Sequence, residues 1–168
     1  MPLTLADEHI RIIAFTTKPA NWPIVTPVQA NAEDRLECLI LKSDYKLGAT
    51  GNNKIPDLPV CQAAGSEVNG APIYEGQQVT PFIYLDADGK PVAAENIAWD
   101  LFKESGTELW IVESEGAADS EEFATGQMYD TYHVITADPT KPSDRYSGYV
   151  KRTVPLTVRK GHENLIFA

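Results

Sequence analysis

The chain has 168 residues, long enough to bury a core without disulfides or a metal, so one domain spanning 1–168 is the expectation. Its 43% hydrophobic and 23% charged residues exclude disorder throughout. A net charge of -10 and a pI near 4.7 set up a field that repels phosphate, which argues against a nucleic-acid reader or an anionic-membrane binder. Asp7, Glu8 and Arg11 interrupt any apolar run at the N-terminus, and no stretch reaches bilayer-spanning length.

In chain order, residues 9–17 read as a strand, with Ile10, Ile12 and Ala14 alternating against His9, Arg11, Ile13 and Phe15, so both faces carry apolar surface. Lys18-Pro19-Ala20-Asn21 ends it, and Pro23 and Pro27 keep the next stretch irregular. One or two helical turns are expected within 28–34. A strand is expected over 36–42, with Leu36, Cys38 and Ile40 on one face. Residues 45–50 either continue that strand or pair with it after a bend at Ser43-Asp44.

Over 51–71 the pattern dissolves into Gly, Asn, Pro and Ser, with Ile55, Leu58, Val60 and Val68 scattered among them. So long a loop is usually functional, and its apolar residues point to docking. Cys38 and Cys61 lack CxxC spacing and cannot build a zinc site alone. They read as a buried strand thiol and a loop thiol, or as a disulfide pair. Residues 73–85 look extended, with Pro81 at a bulge or edge, and Asp88-Gly89 makes a turn.

The pivot of the chain is 94–112. Ala94, Ile97, Ala98, Leu101 and Phe102 fall three or four apart on one helical stripe, opposite Glu95, Asp100, Lys103 and Glu104. Gly106 suits a left-handed helix cap. Leu109, Trp110, Ile111 and Val112 then form a strand apolar on both faces, which must be covered on both. After an acidic connection over 115–126, residues 128–136 read as a strand and 137–147 as a turn. Residues 149–159 alternate cleanly, with Val150, Val154, Leu156 and Val158 inward and Lys151, Thr153, Thr157 and Arg159 outward. Arg152 breaks this register, so it lies beyond the core's edge or meets an acidic partner. The tail over 163–168 ends in Leu165, Ile166 and Phe167, an apolar terminus suited to docking. The expected core comprises Ile97, Leu101, Phe102, Leu109, Ile111, Val150, Val154, Leu156 and Val158. About seven strands and one good helix fit a mainly β fold, an antiparallel sandwich or barrel with one flanking helix.

The sequence offers little to enzymology. His9, His133 and His162 lie far apart without an HExxH frame. Asp86-Ala87-Asp88-Gly89 lacks the later ligands of a calcium loop and reads as a turn. Ser105-Gly106 and Ser147-Gly148 lack the GxSxG frame, and Glu121-Glu122 belongs to a solvated charge run. Trp22, Trp99 and Trp110 are scattered, as core or interface packing requires. No catalytic, cofactor or metal residue is assigned.

The ordered set of stretches is more informative. Leu41-Lys42-Ser43-Asp44-Tyr45, Tyr74-Glu75-Gly76, Thr80-Pro81-Phe82-Ile83-Tyr84, Gly106-Thr107-Glu108-Leu109-Trp110-Ile111-Val112-Glu113, Asp130-Thr131-Tyr132-His133-Val134 and Gly148-Tyr149-Val150-Lys151-Arg152-Thr153-Val154-Pro155-Leu156 follow one another along the chain. In that order they resemble the major tail tube proteins of long-tailed, siphovirus-type bacteriophages, over about 5–167.

The resemblance implies a β-sandwich with a flanking helix, hexameric rings, and a stacked tube that conducts the genome during infection. It implies a virion-tail location with assembly in the host cytoplasm, and no cofactor. Partners would be further copies, together with tape measure, tail terminator and baseplate or distal tail proteins. DNA would pass without sequence-specific binding, and no membrane insertion is expected. In that family an extended loop commonly bridges subunits, which points to 47–71 and its Leu47, Ile55, Leu58, Val60 and Val68. Termini commonly join rings, which points to Leu165, Ile166 and Phe167. The competing readings are another tail component, such as a terminator, a decoration protein or a phage-derived injection tube, and a small-molecule or carbohydrate-binding β-sandwich.

Overall fold

The computed structural model describes residues 8–55 and 68–168. In chain order the elements are β1 (Ile10–Phe15), α1 (Pro27–Asn31), β2 (Gly51–Ile55), β3 (Val68–Ile73), β4 (Gln78–Val79), α2 (Ile97–Phe102), β5 (Glu108–Glu115), β6 (Met128–Thr136) and β7 (Val154–Ile166). Five of the strands form one antiparallel sheet in the order β1-β5-β6-β7-β4, and β2 and β3 pair separately as a ribbon. The fold is mainly β, as the sequence pattern predicts.

The period-2 alternation of strand side chains divides the sheet's residues between two apolar layers. One face carries Ile12, Ala14, Leu109, Ile111, Tyr132, Val134, Val154, Leu156 and Val79, covered by Leu36, Ile40 and by Ala98 and Phe102 of α2. The other carries Ile13, Phe15, Trp110, Val112 and Tyr129, covered by Val25, Ala30 of α1, Phe123 and Phe167. β5 is thus buried on both sides, as its unbroken apolar run demands. Much of the covering layer is irregular chain rather than a second regular sheet. Isolated pairings such as Ile40 with Pro81 and Phe82 with Lys151 hold it in extended form.

Both edges of the sheet are protected. At β1, Leu36 donates its N–H to the Ile12 carbonyl at 2.9 Å, and the Ile12 N–H is taken by Glu37 Oε2 at 3.0 Å. At β4, Lys46 exchanges both backbone bonds with Gln78 at 3.0 Å.

Several expectations need correction. The strand expected over 36–42 is a 3-10 turn at Glu37–Leu39. Leu36 and Ile40 are buried, but Cys38 between them is exposed and its thiol is free, because Leu39 N–H closes back on the Leu36 carbonyl. Cys61 lies outside the described residues. Two short helices flank the sheet, α1 being the helical turn expected within 28–34. α1 is fixed by a capping box in which Gln29 N–H bonds Thr26 Oγ1 and Thr26 N–H bonds Gln29 Oε1. α2 is shorter than its stripe suggests. Asn96 at its start spends its side chain on the Tyr84 N–H and carbonyl and on the Val92 carbonyl instead of capping the helix. At its end the Glu104 carbonyl is claimed by the Thr107 and Thr136 hydroxyls. Gly106 does take a positive φ of 81°, in the turn into β5 and not as the helix cap.

The last strand begins later and runs further than expected, through Ile166. Val150 is therefore 43% exposed and outside the core, whereas Val154 and Leu156 are buried and Val158 is half-buried. Lys151, expected outward, is buried with its ammonium on Asp144 Oδ2 at 2.7 Å. Half-buried Arg152 donates to the Lys151 carbonyl at 2.8 Å.

Candidate assembly surface

The stretch expected to be a patternless loop contains the two strands of the ribbon. Gly51 pairs with Ile73 and Ile55 with Val68, with an irregularity between Asn52 and Lys54. Every residue of β2 is exposed, so no buried face exists to impose alternation. Polar side chains stitch the ribbon instead. Asn52 Nδ2 donates to the Gly70 carbonyl at 3.1 Å and Lys54 Nζ to Asn69 Oδ1 at 3.4 Å. Among the described residues this sheet has two strands, so each has an outer edge outside the ladder, the kind of edge on which another chain can add.

The root of the ribbon is held far more firmly than its shaft. Three carboxylates sit in a row across neighbouring strands: Glu113 on β5 opposite Asp130 on β6, and Glu163 on β7 beside them. Glu113 Oε2 accepts from the Tyr45 hydroxyl at 2.5 Å. Glu163 Oε1 accepts from the Tyr132 hydroxyl at 3.1 Å and from the Ala49 N–H at 3.0 Å, just before β2 starts. Asp130 Oδ1 accepts from the Asn164 N–H at 2.6 Å. Burial, reinforced by Glu115, Asp130 and Glu163, pushes the Glu113 carboxyl up to about 7 against the opposing pull of the Tyr45 bond. Burial likewise raises the Tyr45 and Tyr132 phenols far above their ordinary value, so both remain donors. At Gly161 a Cβ would come within 2.3 Å of the Tyr74 hydroxyl and 2.9 Å of the Tyr132 ring, so only glycine lets these two rings pack at the root.

A second reinforced region is the acidic connection after β5. Arg11, read from the sequence as a polar interruption of β1, is fully buried. Its guanidinium reaches the Glu122 carbonyl at 2.9 Å, Ser114 Oγ at 3.0 Å and Gln127 Oε1 at 2.7 Å, and lies 4.5 Å from the centre of the Phe123 ring. Arg35 lies at the same distance from that ring and donates to the Glu121 carbonyl. Two cations thus hold the loop backbone while the Glu121 and Glu122 side chains stay exposed.

The residues expected to make contacts fall into different settings. Leu47 is half-buried and packs on the core, and Ile55 is exposed on β2. Val68 starts β3, and Leu58 and Val60 lie outside the described residues. The expectation of an apolar docking tail is corrected at Phe167, which is 1% exposed and stacks on Tyr129 with ring centres 4.0 Å apart. Leu165 is half-buried, and Ile166 alone of the three is open, at 56%. It lies opposite exposed Met128. Tyr146, in the Pro- and Asp-punctuated turn, and Tyr149, at the start of the strand expected over 149–159, are both exposed, which the sequence pattern does not signal. Asp86 Oδ1 accepts from the Asp88 and Lys90 N–H groups at 2.9 and 2.8 Å, which makes the Asp86-Ala87-Asp88-Gly89 stretch a turn. No described helix is long and apolar enough to cross a membrane.

The fold is mainly β with an exposed β2, and the comparison of sequences says what kind of chain carries it. The sequence model of a family described as phage tail tube protein matches residues 1–165. The chain belongs to that family. A comparison with curated proteins finds no match. Membership makes the chain a structural subunit of a phage tail tube, a virion-tail component that associates with its own copies and with other tail components.

Proposed function

We propose that the subunit forms hexameric rings that stack into a hollow conduit for the phage genome. The observation that carries this reading is the ribbon, fastened at its root by half-buried Glu113 and by Glu163 yet exposed along β2, in a chain of the tail tube family. The ribbon and the following 56–67 reach a neighbouring subunit, with Ile55, Leu58, Val60 and Val68 as contacts. Ile166 and Met128 contribute to stacking. Tape measure, terminator and distal tail proteins bound the tube, which is assembled in the host cytoplasm. The subunit does structural work and no catalysis.

The charge of -10 suits a conduit, because a wall that repels phosphate does not hold the DNA it must pass. Acidic side chains therefore outnumber basic ones on the lumen wall, and a ring reconstruction showing a lumen lined chiefly by Lys and Arg would overturn that assignment. The test of the function is negative-stain electron microscopy across a concentration series, alongside sedimentation velocity. Rings or tubes with a central channel are expected. A monomer at every concentration that is instead stabilised by a small ligand would favour a binding module.

A further inference from the structure

The sheet is electrically lopsided along its strands. Where β1 begins and β5 ends, Glu113, Glu115, Asp119, Glu121, Glu122 and Asp130 gather, while Arg11 and Arg35 of that region are occupied by loop carbonyls and the Phe123 ring. Toward the opposite end lies a cavity of about 320 Å³ lined by Lys18, Trp22, Glu108, Trp110, His133, Lys160 and His162. Trp110, His133 and Lys160 are register partners across three strands, and the Trp110 and His133 rings stack 4.9 Å apart. At about 3.3 Å per strand residue, roughly 17 Å separates Trp110 from Glu115.

The lining is unsatisfied by its own chain. Among the described residues the Nε2 atoms of His133 and His162 are buried without a hydrogen-bond partner, and His133 Nε2 stands 3.4 Å from Glu108 Oε2 outside hydrogen-bond geometry. Burial and nearby Lys160 lower the His162 pKa, so its ring is neutral at pH 7. Lys18 and Lys160 are exposed and have no ion-pair partner among the described residues. Two lysines against one carboxylate, with two imidazoles as hydrogen-bonding groups, make a cationic, aromatic-walled recess in an otherwise acidic protein.

We propose that this recess receives the Glu121 and Glu122 carboxylates of a second copy, so that subunits join head to tail along the strand direction. The inference rests on the tail tube reading and names a contact for it. The occupant follows from charge and from preorganisation. Glu121 and Glu122 project from a turn closed by Glu121 N–H on the Ala118 carbonyl at 3.0 Å and held by Arg11 and Arg35, so little ordering entropy is lost on docking. A polyanion would meet Glu108 in the lining and the chain's overall negative field, whereas two carboxylates on one turn match two lysines. Joining two different patches is a heterologous contact, which closes into a ring or propagates as a stack.

The test is a charge exchange between copies. Lys18→Glu/Lys160→Glu and Glu121→Lys/Glu122→Lys change only exposed side chains, so circular dichroism and melting temperature serve as folding controls. Each variant alone is expected to self-associate at least about tenfold more weakly than wild type in sedimentation velocity, and an equimolar mixture to recover to within about threefold, because every contact then pairs opposite charges. Equal self-association of the wild type and both separate variants would overturn this contact while leaving tail tube assembly standing. Loss in each variant without recovery on mixing would also overturn it. DNA binding by the wild type that is lost in Lys18→Glu/Lys160→Glu, with self-association unchanged, would assign the recess to phosphate instead. A wild type that never associates would remove the assembly reading itself.

Discussion

The five-stranded sheet and the two-stranded ribbon are both antiparallel, yet their side chains are used in opposite ways. β5 buries four consecutive residues, Leu109 to Val112, between two apolar layers, whereas β2 exposes all five of its own. Each fully buried Leu, Ile or Val contributes about 1.5–3 kcal/mol, so the sheet holds itself together. An isolated two-stranded ribbon is marginal in water. Its order comes from the root, where Tyr45, Ala49 and Tyr74 are tied to the sheet. The difference separates stability from assembly: changes to the sheet should unfold the subunit, and changes to the ribbon should leave a folded subunit that fails to associate.

Three substitutions probe the sheet side, in falling order of effect. Leu109→Ala opens a cavity between β5 and α2 and is expected to cost about 3–4 kcal/mol in a urea melt. A loss below about 1 kcal/mol would mean the two layers are not the source of stability. Arg11→Met leaves the Glu122 carbonyl and Ser114 Oγ without their donor, with Arg35 alone on the Glu121 carbonyl, and is expected to cost about 3 kcal/mol, with faster proteolysis over 115–126. If the melt and the cleavage pattern stay unchanged, the clamp is ornamental.

The third, Glu113→Gln, tests the root. Because the folded carboxyl titrates near 7, above the usual unfolded value of about 4.3, the folded state binds its proton more tightly. That contribution is complete below about pH 4.3 and is lost as pH rises through about 7. The amide mimics the protonated acid and keeps an acceptor for Tyr45. Glu113→Gln is therefore expected to match wild type near pH 4 and to be roughly 2–3 kcal/mol more stable at pH 8. A constant difference across that range would show that Glu113 does not titrate there.

How much of this was legible depended on burial. β6 falls at 128–136 as read, and the double-sided burial of β5 follows from its unbroken apolar run. β7 was cut short because beyond Val158 it runs through Arg159, Lys160, Gly161 and Glu163, whose polar character hides a strand held by its pairing with β6. The ribbon was invisible for the same reason in purer form, since neither face is covered. Leu36, Cys38 and Ile40 fit a strand by spacing, but Glu37 binding the Ile12 N–H is a tertiary bond that no local pattern encodes. The burial of Arg11 is likewise fixed by carbonyls distant in sequence, and Phe167 left the docking tail for the core because Phe123 and Tyr129 wait for it across the fold. The family resemblance was readable from ordered fragments, whereas the lysine and histidine recess required the register of three strands.

The most direct test of the separation between fold and assembly is to replace residues 52–72 by an Asn-Gly turn, since Gly51 and Ile73 are register partners that such a turn can join. Circular dichroism should be retained, with a melting temperature within a few degrees of wild type, about 1 kcal/mol or less. Electron microscopy at concentrations where wild type forms tubes should show none. Tubes that persist without the ribbon would contradict the account.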